Sequence, residues 1–395
     1  MQRVAIANPR LSLLPSSFSR IRLRKMSTKP SPVSQKFVSV EGADVHSRSK
    51  PDGFRFRLVS YNILAQVYVK SSLFPYSPSP CLRWKARSQA ILTVLKNLGA
   101  DFLCLQEVDE YDGFYKGKME ILGYSGLYIQ RSGRKRDGCG IFYKQDRAEL
   151  VLEEKIDYND LVNSIEDNKD GSANKDTLEQ SNGNRNIQTN PASTNTPENR
   201  GDPNDPRVRL KRDCVGILAA FRLKDLSRHL IVVANTYIYW DPKWADVKLA
   251  QAKYLLSRLA QFRDLVSEKF DCIPSVIVAG DFNSTPGDKV YQSLVSGDLS
   301  STTPEIECLD ELPIPLRSVY ASTRGEPSFT NCTPDFTGTL DYIFFCPSSD
   351  IKPVGFLELP GSDSEEVVGG LPNYYHPSDH LPIGAEFELD CDKVC

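Results

Sequence analysis

The sequence predicts an α/β protein whose chemistry gathers at the ends of its strands, and three observations carry this. Short apolar, β-branched runs recur along the 395 residues, and each stops at a polar side chain. The run at 54–61 leads into an amphipathic helix and then another apolar run, which is the order of a parallel βαβ unit. In Ser275–Pro286 (SVIVAGDFNSTP), Val276, Ile277, Val278 and Ala279 read as a buried strand, Gly280 as a sharp exit, and Asp281 and Asn283 as the polar group at its carboxyl end.

Composition narrows the class. With 40% hydrophobic and 10% aromatic residues the chain can bury a large core, and no apolar run approaches the roughly 18 to 20 residues of a membrane span, so no membrane partner is expected. Net charge is −3, but residues 1–40 hold eight Lys or Arg and no acid, which leaves −11 on the rest. An acidic body does not capture a polyanion in bulk; local patches or bound cations must do so. The ten cysteines lie scattered, mostly in apolar runs and without a CxxC pair, which reads as buried, reduced thiols of an intracellular protein.

Taken in order, residues 1–50 read as a disordered basic leader ahead of a single catalytic domain over 51–395. The first 45, rich in Arg and Ser, have the composition of a mitochondrial or chloroplast transit peptide. A start at Met26 would remove most of that segment, so the expected locations are cytoplasm and nucleus for the short form and an organelle for the long one. FRFRLVSY (54–61) is the first strand and delivers Asn62; 83–98 is a helix with Ile91, Val94, Leu95 and Leu98 on one face, stopped by Gly99. FLCLQ follows as a strand and ends at Glu107. GCGIFYK and AELVLEE are further strands, and 159–206 loses hydrophobic periodicity, which predicts a disordered insertion. CVGILAAFRL and HLIVVANTY resume the sheet. Pro242–Phe270 is the clearest helix, with Val247, Leu255, Leu259, Phe262 and Val266 at three- and four-residue spacings. After GDFNSTP come a short helix over 287–295, an irregular stretch to Pro315, the strand TLDYIFF carrying Asp341, and the strand LPIGAEFEL after the polar group HPSDH.

Asn62, Glu107, Asp281, Asn283, Asp341, Asp379 and His380 thus all fall at strand ends, five strands contributing. Each has an ordinary use as turn former, cap or surface charge; their recurrence at one position argues that they meet on one rim. Four carboxylates, two amides and a histidine suit phosphodiester hydrolysis, in which a water is deprotonated and phosphoryl charge is neutralised by a divalent metal. Mg²⁺ takes hard oxygen ligands and keeps several waters, so Glu107 suffices as an anchor, for one ion or two, with Mn²⁺ as a substitute. Asp281 orients or deprotonates the water, Asn283 and Asn62 hold phosphate or metal-bound water, and His380, partnered by Asp341, donates to a phosphoryl oxygen. The four-residue spacing of His376 and His380 suggests zinc, but Pro377 between them and the lack of a cysteine set set that reading aside.

YNILAQ, LQEVD, DGCGIFYK, NTYIYWDP, GDFNSTP, FTGTLDYIF and SDHLPI, in this order, resemble the endonuclease/exonuclease/phosphatase superfamily, most closely its carbon catabolite repressor and nocturnin branch of deadenylases. The resemblance runs from Phe54 to Leu389 apart from the insertion. It implies a four-layer αββα sandwich of two mixed sheets flanked by helices, Mg²⁺ dependence, and removal of mRNA poly(A) from the 3′ end with release of AMP. By motif, Glu107 resembles the magnesium ligand, Asp281 and Asn283 the catalytic pair, Asp379 and His380 the terminal pair, and Asp341 the partner of that histidine. Phe336 matches an aromatic that stacks on adenine, and Pro242 a residue closing the base pocket.

Two departures stand out. The branch commonly reads NTHIHW where this chain has NTYIYW, so Tyr237 and Tyr239 replace histidines. Tyrosine at the first position resembles the apurinic endonuclease branch, where it contacts phosphate, so activity is expected to survive with a rate flat between about pH 6 and 8. The leucine-rich repeats through which some relatives join the Not scaffold are not in this sequence, although the family favours that complex as a partner. The leading expectation is a poly(A)-specific 3′ exoribonuclease with RNA as its partner. A phosphatase acting on a small nucleotide such as NADPH shares the same motifs, and an RNA-binding scaffold with a dead site is the third reading.

Overall fold

The computed structural model describes residues 31–40, 53–163, 202, 204–224, 229–296, 314–347 and 351–389. The leader up to residue 30 and most of the 159–206 insertion lie outside them. Two sheets are stacked face to face. The first has seven strands in the order β1 (Phe37–Ser39), β14 (Ile351–Leu357), β15 (Ile383–Leu389), β2 (Phe54–Asn62), β3 (Phe102–Gln106), β5 (Gly138–Lys144), β4 (Tyr124–Gln130). The second has six: β10 (Arg317–Ser318), β13 (Asp341–Phe345), β9 (Ser275–Asp281), β8 (Leu230–Tyr237), β7 (Val215–Leu223), β6 (Ala148–Asp157). A hairpin, β11 (Asn331–Cys332) and β12 (Thr337–Gly338), stands apart.

Each sheet holds one parallel pair, and a helix links each pair. β2 passes through α1 (Trp84–Leu98) to β3, and β8 through the longest helix, Ala245–Phe270, to β9. All other pairings among the strands named are antiparallel, so both sheets are mixed. Phe56, Leu58 and Phe102 of one sheet meet Ile217, Phe221, Val233 and Ile277 of the other in one buried core. Outside, α1 lays Ile91, Val94, Leu95 and Leu98 on Val59, Leu103 and Leu105. It ends at Gly99, whose φ of 59° is the left-handed cap that glycine adopts without strain. The helix over 245–270 buries Val247, Leu255, Leu259, Phe262 and Val266, the stripe its spacing predicts. It starts three residues later than expected, because Pro242–Trp244 form a separate 3₁₀ turn. Helix, sheet, sheet and helix give the four layers. No helix among the described residues is long and apolar enough to cross a membrane.

Six strands were not legible, among them the two-residue β10, β11 and β12. β4 has little apolar alternation, β14 contains Pro353 and Gly355, and β1 sits within the basic leader. Pro353 is tolerated because it lies at a register shift against β15 and beyond the three residues that β1 covers. β1 also moves the expected domain boundary. Phe37 packs under the Arg57 guanidinium, 4.6 Å from its centroid, and lies where a Cβ on Gly384 would meet its ring at 3.0 Å. Val33 donates its N–H to the Tyr375 carbonyl at 3.1 Å, so the folded unit reaches back past residue 50. Starting the chain at Met26 is therefore expected to leave its thermal midpoint unchanged. Starting at Gly53 removes Phe37, Val38 and Val40, partly buried apolar side chains packed on the cores, roughly 3 kcal/mol or about 5 °C, and scanning calorimetry of the two forms checks this.

Candidate active site

The two parallel pairs bring their carboxyl ends to one rim: Asn62 ends β2, Glu107 follows β3, Tyr237 ends β8 and Asp281 ends β9. Asp341 arrives differently. β13 runs antiparallel to β9, so Asp341 is its first residue and stands directly opposite Asp281. Asp379 and His380 likewise precede β15, which runs antiparallel to β2. The single recurring position expected of these residues is corrected accordingly; antiparallel neighbours present their amino ends to the same rim.

Asn62, fully buried, is the hub. Its Nδ2 donates to Glu107 Oε1 at 3.1 Å and to Asp281 Oδ2 at 3.0 Å, and its Oδ1 accepts from the Leu64 N–H at 3.0 Å. Both amide hydrogens are thus occupied by carboxylates in this structure, where the sequence suggested a contact to phosphate or metal-bound water. Glu107 Oε2 accepts from the Ala65 N–H at 3.0 Å. Glu107 has φ 55° and Asn283 φ 47°, backbone conformations that non-glycine residues adopt at a cost and that cluster at working sites. Asp281 Oδ1 accepts from the Asn283 N–H at 2.9 Å, and Asn283 Nδ2 donates to the Ile238 carbonyl at 2.9 Å. Gly280 is not the exit the sequence suggested but part of β9, where any Cβ would lie 2.2 Å from the Thr236 carbonyl oxygen.

His380 is held through Nδ1, 2.7 Å from Asp341 Oδ2, with Nε2 3.9 Å from Asp281 Oδ2. Burial disfavours its charge, but the carboxylates of Asp341 and Asp281 outweigh this and hold its pKa well above the usual range. Thr330 Oγ donates to Asp341 Oδ2 at 2.6 Å, and Ser378 Oγ donates to the Asn62 carbonyl at 2.7 Å. Asp379 is half-buried beside this network. Burial, with Asp137 and Asp379 nearby, pushes Glu107 up to about 7; burial and Asp341 raise Asp281.

Tyr237 is opposite Asp281 in register and buried, with the Arg131 guanidinium 4.7 Å above its ring. Burial first, then Glu107, pushes its hydroxyl well above 10.0, so it does not titrate near neutrality. Pro242 and Phe336 lie outside the buried cluster, on exposed loops. Phe336 is 41% exposed at the turn of the β11–β12 hairpin, whose Asn331 bridges to His380.

Sequence reasoning missed a second layer. Asp137 is fully buried, paired with Arg131 at 3.2 Å and accepting from Tyr68 Oη at 2.7 Å. Asn235 ties the sheets together, accepting from Gln106 Nε2 at 2.7 Å and donating to the Leu105 and Gly140 carbonyls. Arg87, on α1, donates to the Ile63, Leu64 and Pro377 carbonyls and so fixes both chain segments next to the rim. A polar residue inside an otherwise apolar run, as in VVANTY, was the available signal.

The donor set fits a divalent cation. Glu107, Asp281 and Asp341 are buried with His380 as the cationic side chain among them, Asp341 Oδ1 is buried without a partner, and burial raises two of the three carboxyls. Asp281, Asp341 and His380 also offer ligand atoms within 4.8 Å of one another, a group that does not include the expected anchor Glu107. His376 is not in it; it is buried, 3.7 Å from Glu366, and burial lowers it to about 4.

Two stacked mixed sheets with an acid, amide and histidine rim define a hydrolase of the α/β sandwich class. The chain belongs to the endonuclease/exonuclease/phosphatase family, whose sequence profile matches residues 59–380. Within it, the chain is 57% identical to carbon catabolite repressor protein 4 homolog 4 of Arabidopsis thaliana, over 93% of this chain and 94% of that protein. It is 30% identical to the CCR4-Not complex 3′-5′-exoribonuclease subunit Ccr4 of Schizosaccharomyces pombe over 90% of its length, and spans 53% of that relative. Among solved structures it is similar to ANGEL2, a 2′,3′-cyclic phosphatase, with TM-score 0.65 and 25% identity over 90% of this chain and 99% of that one. The human nocturnin catalytic domain shares the fold, with TM-score 0.58 and 22% identity over 92% and 100% of the two chains.

Proposed function

We propose that this chain is a Mg²⁺-dependent 3′–5′ exoribonuclease that shortens poly(A) and releases AMP. The observation that carries the reading is the single Asn62 amide joining Glu107 to Asp281, with His380 held by Asp341 on the other side of Asp281. A divalent ion held by Glu107 would supply Lewis-acid polarisation and neutralise phosphoryl charge. Asp281, aimed by Asn62 and the Asn283 N–H, accepts the proton of the attacking water as the water oxygen bonds to phosphorus and the bond to the 3′ oxygen of the upstream nucleotide breaks, that oxygen taking up a proton from solvent to leave as the 3′-hydroxyl. His380, kept protonated by Asp341, donates to a phosphoryl oxygen. Asn283 keeps one amide hydrogen and its carbonyl for the substrate. Phe336 and Pro242 serve the base.

RNA is the proposed partner. Attachment to a complex of the CCR4-Not kind rests on what the fungal relatives are called, and location in cytoplasm and nucleus, or in an organelle through residues 1–45, rests on the basic leader. A phosphatase acting on a small nucleotide is the second reading, favoured by the likeness to the cyclic phosphatase. One assay separates them: oligo(A), mixed-sequence RNA, a 2′,3′-cyclic nucleotide and NADPH, each with Mg²⁺ or EDTA, for wild type and Glu107→Ala. Stepwise shortening of oligo(A) by the wild type with Mg²⁺ alone is expected. Equal cutting of mixed RNA removes the poly(A) preference, and phosphate chemistry on the nucleotides alone moves the assignment to a phosphatase.

The raised Glu107 carboxyl also sets a pH dependence. A cation must displace its proton below about pH 7, so the half-saturating Mg²⁺ concentration is expected to rise roughly tenfold per pH unit below 7 and to level off above 8. At saturating Mg²⁺ Tyr237 adds no titration there, whereas Asp281, raised by burial and Asp341 and needed ionised to accept the proton, makes the rate fall toward pH 6 in place of the flat profile expected from the sequence. A titration of activity against Mg²⁺ at pH 6, 7 and 8 checks both statements.

A further inference from the structure

Beside the rim stands a group of cations and tryptophans that the chemistry described above does not use. The β4–β5 turn carries Arg134, Lys135 and Arg136 in succession, and 207–212 carries four cations in six residues, in a body that is otherwise acidic. The two segments are joined. Arg131 donates through Nε to the Asp213 carbonyl at 2.9 Å, and Asn159 Nδ2 donates to Asp213 Oδ1 at 3.0 Å. The second segment in turn meets the loop after β8. Trp244 lies between two guanidiniums, with Arg209 and Arg212 each 4.0 Å from its ring centroid, and Tyr239 packs against both Trp240 and Trp244. Trp240 is left 58% exposed. Along the second segment itself opens a cleft of about 410 Å³ lined by Asp205, Arg207, Val208, Lys211 and Asp213.

This wall is continuous with the catalytic rim. Asp281 is the register partner of Tyr237, Tyr237 lies under Arg131, and Arg131 holds the segment that carries Arg212. Arginine–aromatic stacks alone would be an ordinary way of fixing a loop. The structure adds cations on exposed residues Arg134, Arg136 and Lys211, and the exposed indole of Trp240 on the loop after β8. Alternating charge and open π-faces are what a single strand of nucleic acid uses, phosphates on the cations and bases on the rings. A membrane surface would instead meet a broad apolar face, and duplex RNA would leave the indole without an unstacked base.

We infer that the basic, tryptophan-bearing wall formed by 131–136, 206–212 and 239–244 is the track for the single-stranded RNA upstream of the reacting 3′ nucleotide. The inference rests on the reading of the rim as a 3′ exonuclease site, and its test does not need catalysis. Labelled oligo(A) of about 20 nucleotides and of three nucleotides, and a duplex of the longer length, are titrated by fluorescence anisotropy in EDTA over a range of NaCl. The wild type is expected to bind the long strand at least about tenfold more tightly than the short one or the duplex. Combining Arg134→Ala, Arg136→Ala, Lys211→Ala and Trp240→Ala removes that advantage, and flattens the slope of log affinity against log salt by about 2, near 0.7 for each lost phosphate contact. Trp240→Ala alone weakens the long strand without changing the slope. These residues are surface-exposed, and a thermal midpoint equal to wild type shows the fold intact. Unchanged affinity of the combined variant for the long strand, or equal wild-type affinity for the duplex, overturns the track. Wall-dependent binding without cleavage by the wild type in Mg²⁺ counts against the exonuclease reading alone.

Discussion

Replacing Glu107 by glutamine is expected to lower Mg²⁺-dependent hydrolysis by on the order of 10³-fold while leaving the protein folded. The two halves of that statement have separate causes. Activity falls because the carboxylate that Asn62 holds on the β3 side is gone, and with it the charge that would hold a cation across from Asp281. The fold survives because the glutamine carbonyl still accepts a hydrogen bond where Glu107 accepts from Asn62 or Ala65. The sign of the stability change follows from the raised carboxyl. A group whose folded pKa stands near 7, above its ordinary 4.5, loses stability for the fold as pH rises through that interval, and the full penalty applies above it. Glu107→Gln removes the penalty. In EDTA at pH 8 the variant should therefore melt no lower than wild type, while added Mg²⁺ should raise the midpoint of the wild type only. A variant that keeps its Mg²⁺-dependent midpoint shift would place the cation elsewhere, on the group of Asp281, Asp341 and His380.

How much of this was legible in the sequence depends on what each signal measures. Asn62, Glu107 and Asp281 were readable because a buried strand shows as an apolar run and its polar terminus breaks that run. Asp341 was readable as polar but not as an amino-terminal residue, since strand direction is fixed by pairing with β9 and periodicity carries no direction. The partners of Asn62 were not readable for a related reason: which acceptor an amide hydrogen finds is set by Glu107 and Asp281 arriving from strands 45 and 219 residues away. Arg131, Asp137 and Asn235 were invisible because a buried charged or amide side chain looks like a surface one until its partner is placed. β14 was hidden by Pro353, which a strand accepts only at a bulge, and whether a bulge exists is decided by the neighbouring strand.

Asp341→Asn tests the most specific claim about the chemistry, that His380 acts as a cation. Asp341 does two things to the imidazole. It accepts from Nδ1 at 2.7 Å, which fixes the ring with Nε2 facing Asp281, and its charge leads the interactions that hold His380 protonated against burial. Asparagine keeps the size and removes the charge, so His380 should titrate at a lower pH than in wild type, where it stays protonated through neutrality. The rate at saturating Mg²⁺ should fall by about 10² or more, and more at pH 8 than at pH 6, because acid restores the imidazolium that Asp341 no longer secures. A metal-ligand role predicts the reverse. An imidazole bound to a cation must be neutral, so weakening Asp341 would raise the Mg²⁺ requirement most strongly in acid, where protons compete for the ring. Rate against pH at saturating Mg²⁺, and half-saturating Mg²⁺ at pH 6 and 8, distinguish the two. A loss equal at both pH values with unchanged Mg²⁺ affinity would leave Asp341 as a packing residue, and would remove His380 from its place as proton donor to the phosphoryl group.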